Sequence, residues 1–589
     1  MKIIFIAKIV AFSVCGLALG WEISAMAQPQ CNSMSSYEVF VATNGNDNNS
    51  ASKSQPLKTL EKAQQKVRSL QGCMKKNITV YLRGGVYQLS KPLVFNSQDS
   101  GNNAFRVIYT AYRNENPVIS GGQRITNWIG VGNGIYKTSV GSLRFRQLYI
   151  NNKRVIRART PNQSNYFRLK TWDKKAKTVV INSADVSSIS NLKGTEIVIQ
   201  RVWNQSRMSV ISNKRVSKDT IIALREPERT RAFEQRFPSK DDNQPYHLEN
   251  SLQFLDAPGE WYLNSATGEL FYKPRVGENI NRSVVIAPRL ETLVQIEGSK
   301  ENPVQNLDFR GISFKHTTWN APDTEGYTGV QGGITYGTKS ATSGVLMKYA
   351  QNLRLERNTF QHMGGMGVTL SNGTRNIHLV GNVVTDISDN GISLGIPVTD
   401  TSDPREKVSD NLIQNNYISR IGQDYYGSVG IFAGYTSGLK IEYNELTDMP
   451  YTGISVGWGW TNKDTSLKNN LIRYNRIHNV MKLLYDGGGI YTLSKQPGTI
   501  LAHNYIYDLI PSKWVSKPKW ISGIYLDQGS SFMRLENNVI VNVPSKVTMQ
   551  QAVQPTAKNN TVIYNQTILY SVKNNSGLQP LYQNIKNRF

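Results

Sequence analysis

The chain has 589 residues, of which 39% are hydrophobic and 47 are glycine, so it can bury a large core and make many turns, which excludes a disordered polymer. Its 68 Lys and Arg against 42 Asp and Glu give a formal net charge of +26. Such an excess either attracts polyanions or simply solvates a basic face.

Residues 1–27 read as a secretory signal. Lys2 and Lys8 precede the apolar run Ile9–Leu19, and Ala25-Met26-Ala27 is a small-x-small cleavage site. The run is well short of the ~20 apolar residues a membrane span needs, so no span is expected after signal removal. The expected location is secreted or periplasmic. An exported chain without a recognition motif is not expected to bind nucleic acid, and an acidic polysaccharide or anionic envelope surface suits the charge better. Cys15 falls inside the signal, where Ser13-Val14-Cys15 lacks the small residue a lipid-attachment site wants before the cysteine. Cys31 and Cys73 remain, as one disulfide tying the mature N-terminus to the end of the first helix or as two buried thiols.

Residues 28–127 predict an N-terminal cap and the first coils of a solenoid. Tyr37–Val41 reads as a strand and Asn44–Asp47 as a turn. Leu57–Val67 spaces apolar residues as an amphipathic helix does, and such a helix would cover an open sheet end. Ile78–Tyr87 begins the coils. Residues 128–290 change pattern. Gln147–Ile150 and Arg154–Ala158 flank Asn151-Asn152 as hairpin strands would, and Trp261–Leu263 with Leu270–Tyr272 form a second pair around Ala266-Thr267-Gly268. This predicts an inserted antiparallel β-domain.

Residues 291–589 carry the most informative feature, a repeat centred on Asn358, Asn382, Asn416, Asn444, Asn475, Asn504, Asn538 and Asn565, with spacings of 24, 34, 28, 31, 29, 34 and 27 residues. A glycine follows each of six members, as Gly367, Gly391, Gly430, Gly453, Gly489 and Gly523, at offsets of 9, 9, 14, 9, 14 and 19 residues. A constant coil of three short strands with insertions in one turn explains both series, and the insertions should line one edge. Coils stacked ~4.8 Å apart let side-chain amides hydrogen-bond in register. Leucine-rich repeats and propellers fit poorly, because the Leu-x-x-Leu-x-Leu and Trp-Asp signatures are missing. The expected fold is all-β: a right-handed parallel β-helix, a pectin-lyase-like solenoid, with a capping helix and an inserted antiparallel β-domain.

Periodic asparagines need no substrate to explain them, so functional candidates are sought among non-periodic residues, which concentrate between Tyr451 and Ser531. Asp486 in Tyr485–Leu493 and Asp527 in Gly523–Ser530 each sit beside glycines and tyrosines, on neighbouring coils. Two carboxylates of this kind suit glycoside hydrolysis, one protonating the leaving oxygen and one attacking the sugar or activating water. The alternative is that aspartates beside glycine only make turns. Aligned on Gly489 and Gly523, the two aspartates fall seven positions apart. Straight strands would separate them by over ~20 Å, against the roughly 5–9.5 Å that paired carboxylates use. Either the glycine-rich chain turns sharply, or one aspartate is not catalytic.

Trp458 and Trp460, two apart on an expected strand, share a face and form a sugar-stacking platform or pack beneath a loop. Tyr491, Tyr525, Gln528 and His503 complete the expected substrate-binding set, although His503 beside ladder Asn504 also reads as structural. His362, His478 and His503 lack metal-ligand spacing, and no metal or cofactor is expected.

The strings Pro450–Trp460, Asp486–Thr499 and Gly523–Ser531 resemble those of glycoside hydrolase family 141. Val41–Asp47, Leu82–Tyr87 and Asp256–Tyr262 resemble it as well, so the likeness covers nearly the whole mature chain. That family is a right-handed β-helix with an inserted β-domain, and its members include α-L-fucosidases and xylanases. The resemblance implies that Asp486 and Asp527 are the catalytic carboxylates. One departure is Gln528, where relatives often carry an acidic residue. The expected function is therefore a secreted hydrolase of extracellular or cell-wall polysaccharide, acting as a monomer. The alternatives are a polysaccharide lyase, which the basic charge favours, and a non-catalytic polysaccharide-binding or adhesive solenoid.

Overall fold

The computed structural model describes residues 37–234, 243–335, 339–550, 558–563 and 569–588. The signal segment, Cys31 and the last ladder member Asn565 lie outside the described residues. Cys73 is disulfide-bonded. No helix among the described residues is long and apolar enough to cross a membrane.

Three long parallel sheets, of twelve, ten and ten strands, run the length of the molecule. We call them A, B and C in the order in which each coil visits them. One coil shows the plan: Leu471–Arg473 lies in sheet A, Arg476–His478 in sheet B and Gly487–Thr492 in sheet C. Inward positions stack aliphatic side chains of similar size over one another, as in Ile441, Ile472 and Leu501, all fully buried. The continuous column this makes is the main core.

The turn between sheets A and B holds the asparagine ladder. Asn382 Nδ2 donates to Asn416 Oδ1 at 2.9 Å, and the same bond joins 416 to 444, 444 to 475, 475 to 504 and 504 to 538 at 2.9–3.0 Å. Each Oδ1 also accepts the backbone N–H of the asparagine one coil earlier, and each Nδ2 donates to a sheet-A carbonyl. The buried turn is thereby satisfied without water. The glycine series has a steric cause. A Cβ on Gly367, Gly391, Gly430 or Gly453 would stand 2.5, 2.6, 2.7 and 2.8 Å from the carbonyl oxygen of the next glycine in the series, so only glycine permits the coils to approach there.

At the N-terminal end the helix spans Leu60–Leu70, not Leu57–Val67. Asp47 explains the shift: its carboxylate accepts the N–H groups of Lys58 and Thr59, and Thr59 then caps the helix by accepting from Lys62 N. Leu57 is left in extended backbone bridging Val41. The helix buries Leu60, Ala63, Val67 and Leu70 against the first strand of sheet A and so covers the open end of the core.

Between the early coils the chain leaves the solenoid. Gly122–Ile125 pairs antiparallel with Val285–Pro288, and the segment between them builds a five-stranded sheet and eight strands of a ten-stranded one, with two cores of their own. The hairpin at Asn151-Asn152 has φ of 50° and 60°, the left-handed pair a two-residue turn requires, and Tyr149 pairs with Arg154 across it. Trp261–Asn264 pairs with Glu269–Tyr272 as the second hairpin. A further excursion from the helix, Tyr327–Gln331, adds a strand to this domain by pairing with Ser206 and Arg207.

Buried charge fastens the insertion to the coils. Arg154 reaches Asp386 at 2.7 Å and Asp424 at 2.9 Å, and Gln147 donates to the same Asp424. The guanidinium of Arg154 and the imidazole of His362 hold the Asp386 carboxyl well below the usual range despite its burial.

Candidate active site

The loops between sheets B and C emerge on one edge, and in the coils after Ser343 the longest is the segment 508–520. Asp486 ends the preceding loop of this edge. Its φ of 61° is left-handed, its N–H donates to the Trp520 carbonyl at 3.1 Å, and its own carbonyl accepts from the Tyr451 hydroxyl at 2.9 Å. The chain therefore turns at Asp486 itself, immediately before the strand Gly487–Thr492. The following glycines are needed for space: a Cβ on Gly488 would stand 2.4 Å from the Ser522 carbonyl oxygen. Asp527 lies at the other end of the neighbouring strand, Ile521–Leu526, where its N–H donates to the Thr492 carbonyl at 3.1 Å.

Two tyrosines connect these ends. Tyr491 and Tyr525 are register partners with rings stacked at 5.6 Å on the outer face of sheet C. The Tyr525 hydroxyl donates to Asp486 Oδ1 at 2.7 Å, and the Tyr491 hydroxyl donates to Asp527 Oδ2. Burial and the two nearby carboxylates hold both phenols far above their ordinary pKa, so they remain donors. Asp486 and Asp527 consequently line one cavity of about 550 Å³. Separation along straight strands is not what the structure contains, because the turn at Asp486 and the reach of Tyr525 bring the two ends onto one floor.

The walls come from distant parts of the chain. Trp203 enters from the insertion, donating its indole N–H to the Val330 carbonyl at 2.5 Å, and Val330 and Gln331 line the cavity beside it. Tyr485 N–H donates to the Val202 carbonyl at 2.9 Å, which fixes the insertion against the Asp486 loop. Lys519 and Trp520 form the side made by the long loop, and Trp520 is 41% exposed. Trp460, Gln528, Thr548 and Gln550 complete the lining.

Three expected contacts are not made. Trp458 and Trp460 do not share a strand face: the strand ends at Val456, and left-handed backbone at Gly457, Gly459 and Trp460 rotates the chain. Trp460 reaches the cavity, whereas Trp458, 3% exposed, packs edge-on against Phe432 and Trp460 inside the core. Tyr491 lies beneath Asp527, 2% exposed, and holds the carboxylate without lining the cavity. His503 sits at the ladder turn between sheets A and B, stacked on Tyr474 at 5.0 Å, away from the cavity. Tyr525 and Gln528 do line it.

Trp203, Lys519 and Trp520 were missed in the sequence. The 19-residue offset from Asn504 to Gly523 marked the loop that carries Lys519 and Trp520, but nothing local to Trp203 points to a site so far along the chain.

Residues 133–275 match the family model described as the GH141 insertion domain, and residues 394–584 match the right handed beta helix region. A solved structure titled "Glycoside hydrolase" is 26% identical, covers 93% of this chain and 100% of its own, and superposes with a TM-score of 0.86. Two more distant solved structures are XylC with xylose, 12% identical over 90% of this chain and 86% of that one with a TM-score of 0.49, and a GH136 lacto-N-biosidase from Eubacterium ramulus, 11% identical over 90% and 68% with a TM-score of 0.36. A comparison with curated proteins found no match.

Proposed function

Because the chain is a glycoside hydrolase family 141-like right-handed parallel β-helix protein, we propose that Asp486 and Asp527 are the catalytic pair of a polysaccharide-cleaving glycoside hydrolase. The enzyme class is supported by the insertion domain and the whole-chain likeness to a glycoside hydrolase. The paired roles rest on one observation: carboxylates from neighbouring coils, each fixed by a tyrosine of the other's strand, face the same cavity.

One carboxyl protonates the glycosidic oxygen as it leaves, and the other attacks the anomeric carbon or activates a water. Tyr491 and Tyr525 hold both groups in place while a sugar ring stacks on Trp520, an exposed indole at the cavity wall. The substrate is extracellular or cell-wall polysaccharide, met in a secreted or periplasmic setting, with α-L-fucosidase-like or xylanase-like bond cleavage. Turnover of a panel of aryl glycosides and polysaccharides tests this. Asp486→Asn and Asp527→Asn should each lose cleavage while unfolding at nearly the wild-type temperature, and retained turnover in either variant removes that residue from the pair.

A polysaccharide lyase is the second reading, favoured by Lys519, whose ammonium in the same cavity would neutralise a uronate carboxylate during elimination. Unsaturated, ultraviolet-absorbing product distinguishes it.

A further inference from the structure

The segment Leu509–Trp520 contains three lysines and no acidic residue, arranged as two Lys-Trp pairs, Lys513-Trp514 and Lys519-Trp520. The second pair lines the cavity of Asp486 and Asp527. The first lines a separate cavity of about 420 Å³, where the insertion meets the loop edge. Lys513 lies 5.0 Å from the centre of the Trp514 ring, and Lys517 lies 4.6 Å from that of Trp520. Ammonium groups are thus held against indole rings on both sides of one strap.

The strap is fixed before any ligand arrives. Ser512 N–H donates to the Lys482 carbonyl at 3.0 Å, Val515 is buried, and Arg168 of the insertion donates to the Lys513 carbonyl at 3.3 Å. Tyr166 meets Trp514 edge-on at 5.3 Å. In the second cavity the only carboxylate among the described lining residues is Asp448, already paired with Lys482 at 2.6 Å. Lys513 therefore faces that cavity without an opposing acid there. The same neighbouring loop serves both cavities, giving Lys482 and Leu483 to one and Asp486 to the other.

We propose that the strap 509–520 is a binding element for an anionic, carboxylate-bearing glycan that spans both cavities, with Lys513-Trp514 as a distal subsite. This rests on the hydrolase reading for what the glycan is used for, but binding is separable from cleavage. The backbone of the strap is fixed, and cations already gather over its indoles, Lys513 and Arg168 at Trp514 and Lys517 at Trp520, so a chain of uronic acids meets positive charge in both cavities without reordering the strap.

The test is calorimetric titration of the full-length Asp527→Asn protein with oligogalacturonides, their carboxyl-reduced counterparts and sulfated galactan oligosaccharides. Oligogalacturonides should bind, weakening with salt, and the reduced sugars should bind roughly tenfold more weakly, as expected for lost charge-assisted contacts. Adding Lys513→Gln and, separately, Trp514→Ala should each weaken oligogalacturonide binding several-fold, the first without altering thermal unfolding. Equal binding of acidic and reduced sugars, binding of the sulfated sugar alone, no binding at all, or unchanged affinity in Lys513→Gln each overturns the proposal. None of these outcomes bears on whether the wild-type protein cleaves aryl glycosides, which decides the hydrolase reading alone.

Discussion

The hydroxyl of Tyr525 lies 2.7 Å from Oδ1 of Asp486, although Tyr525 is two residues from Asp527 and a whole coil from Asp486. Tyr491 makes the reverse connection, from the strand that follows Asp486 to Asp527. The two acids are thus cross-braced, and each depends on the other's coil for its orientation. On the proposed catalytic pairing, Tyr525→Phe and Tyr491→Phe should each lower kcat by about tenfold to a hundredfold, with less change in KM, because a lost hydrogen bond loosens the carboxylate it holds. Steady-state kinetics with a pH profile is the measurement, and an unchanged kcat in both variants would show that the bracing is only structural.

Trp520 presents much of its ring to the cavity and makes few commitments to the core. Trp520→Ala should raise KM about tenfold with little change in melting temperature, the size expected for losing one aromatic stacking surface. Trp458→Ala makes the contrast. That indole is buried against Phe432, so its loss should cost roughly 3–5 kcal/mol of stability.

Asn475 donates to Asn504 Oδ1 and to the Ile441 carbonyl, and its Oδ1 accepts the Asn444 N–H. Asn475→Ala orphans buried groups on two neighbouring coils and should destabilise by about 2–4 kcal/mol. Chemical denaturation measures it. A loss below about 0.5 kcal/mol would mean that water replaces the amide.

Asp389 is fully buried, and burial pushes its carboxyl up to about 7 even though Ser428 and the Asn390 N–H donate to it. A raised carboxyl pKa means that the unfolded chain releases the proton first. Its stability contribution is complete below the unfolded value near 3.8 and is lost as pH rises towards 7. Asp389→Asn should therefore melt higher than wild type at pH 8 and close to it at pH 4, as read by calorimetry at both pH values. A difference independent of pH would assign the effect to packing.

Much of the solenoid was legible because its cause is periodic. Asn358 to Asn538 bond to one another across coils, and the glycines from Gly367 to Gly523 avoid one recurring steric clash, so both series repeat in the sequence. The site was legible only in part. Asp486 and Asp527 stood out beside their glycines, but their meeting depends on a single left-handed residue and on one long phenol, neither of which has a period. Trp458 and Trp460 misled for the same reason, since Gly457 and Gly459 take left-handed backbone that alternation along a strand does not describe. Trp203 depends on how the insertion docks through Val202 and Tyr485, a contact between segments that share no local pattern.

The glycine at the head of six successive sheet-C strands has a consequence for change over time. Whatever path a loop takes, the chain must re-enter at a point where only a bare backbone fits, and this resets the phase of the coil. Residues can be added or removed ahead of that point, as the six offsets from 9 to 19 record, without shifting a single partner in the stack. The scaffold behaves as a ruled page, on which the line spacing stays constant while the text in one margin is free to be rewritten for a new sugar.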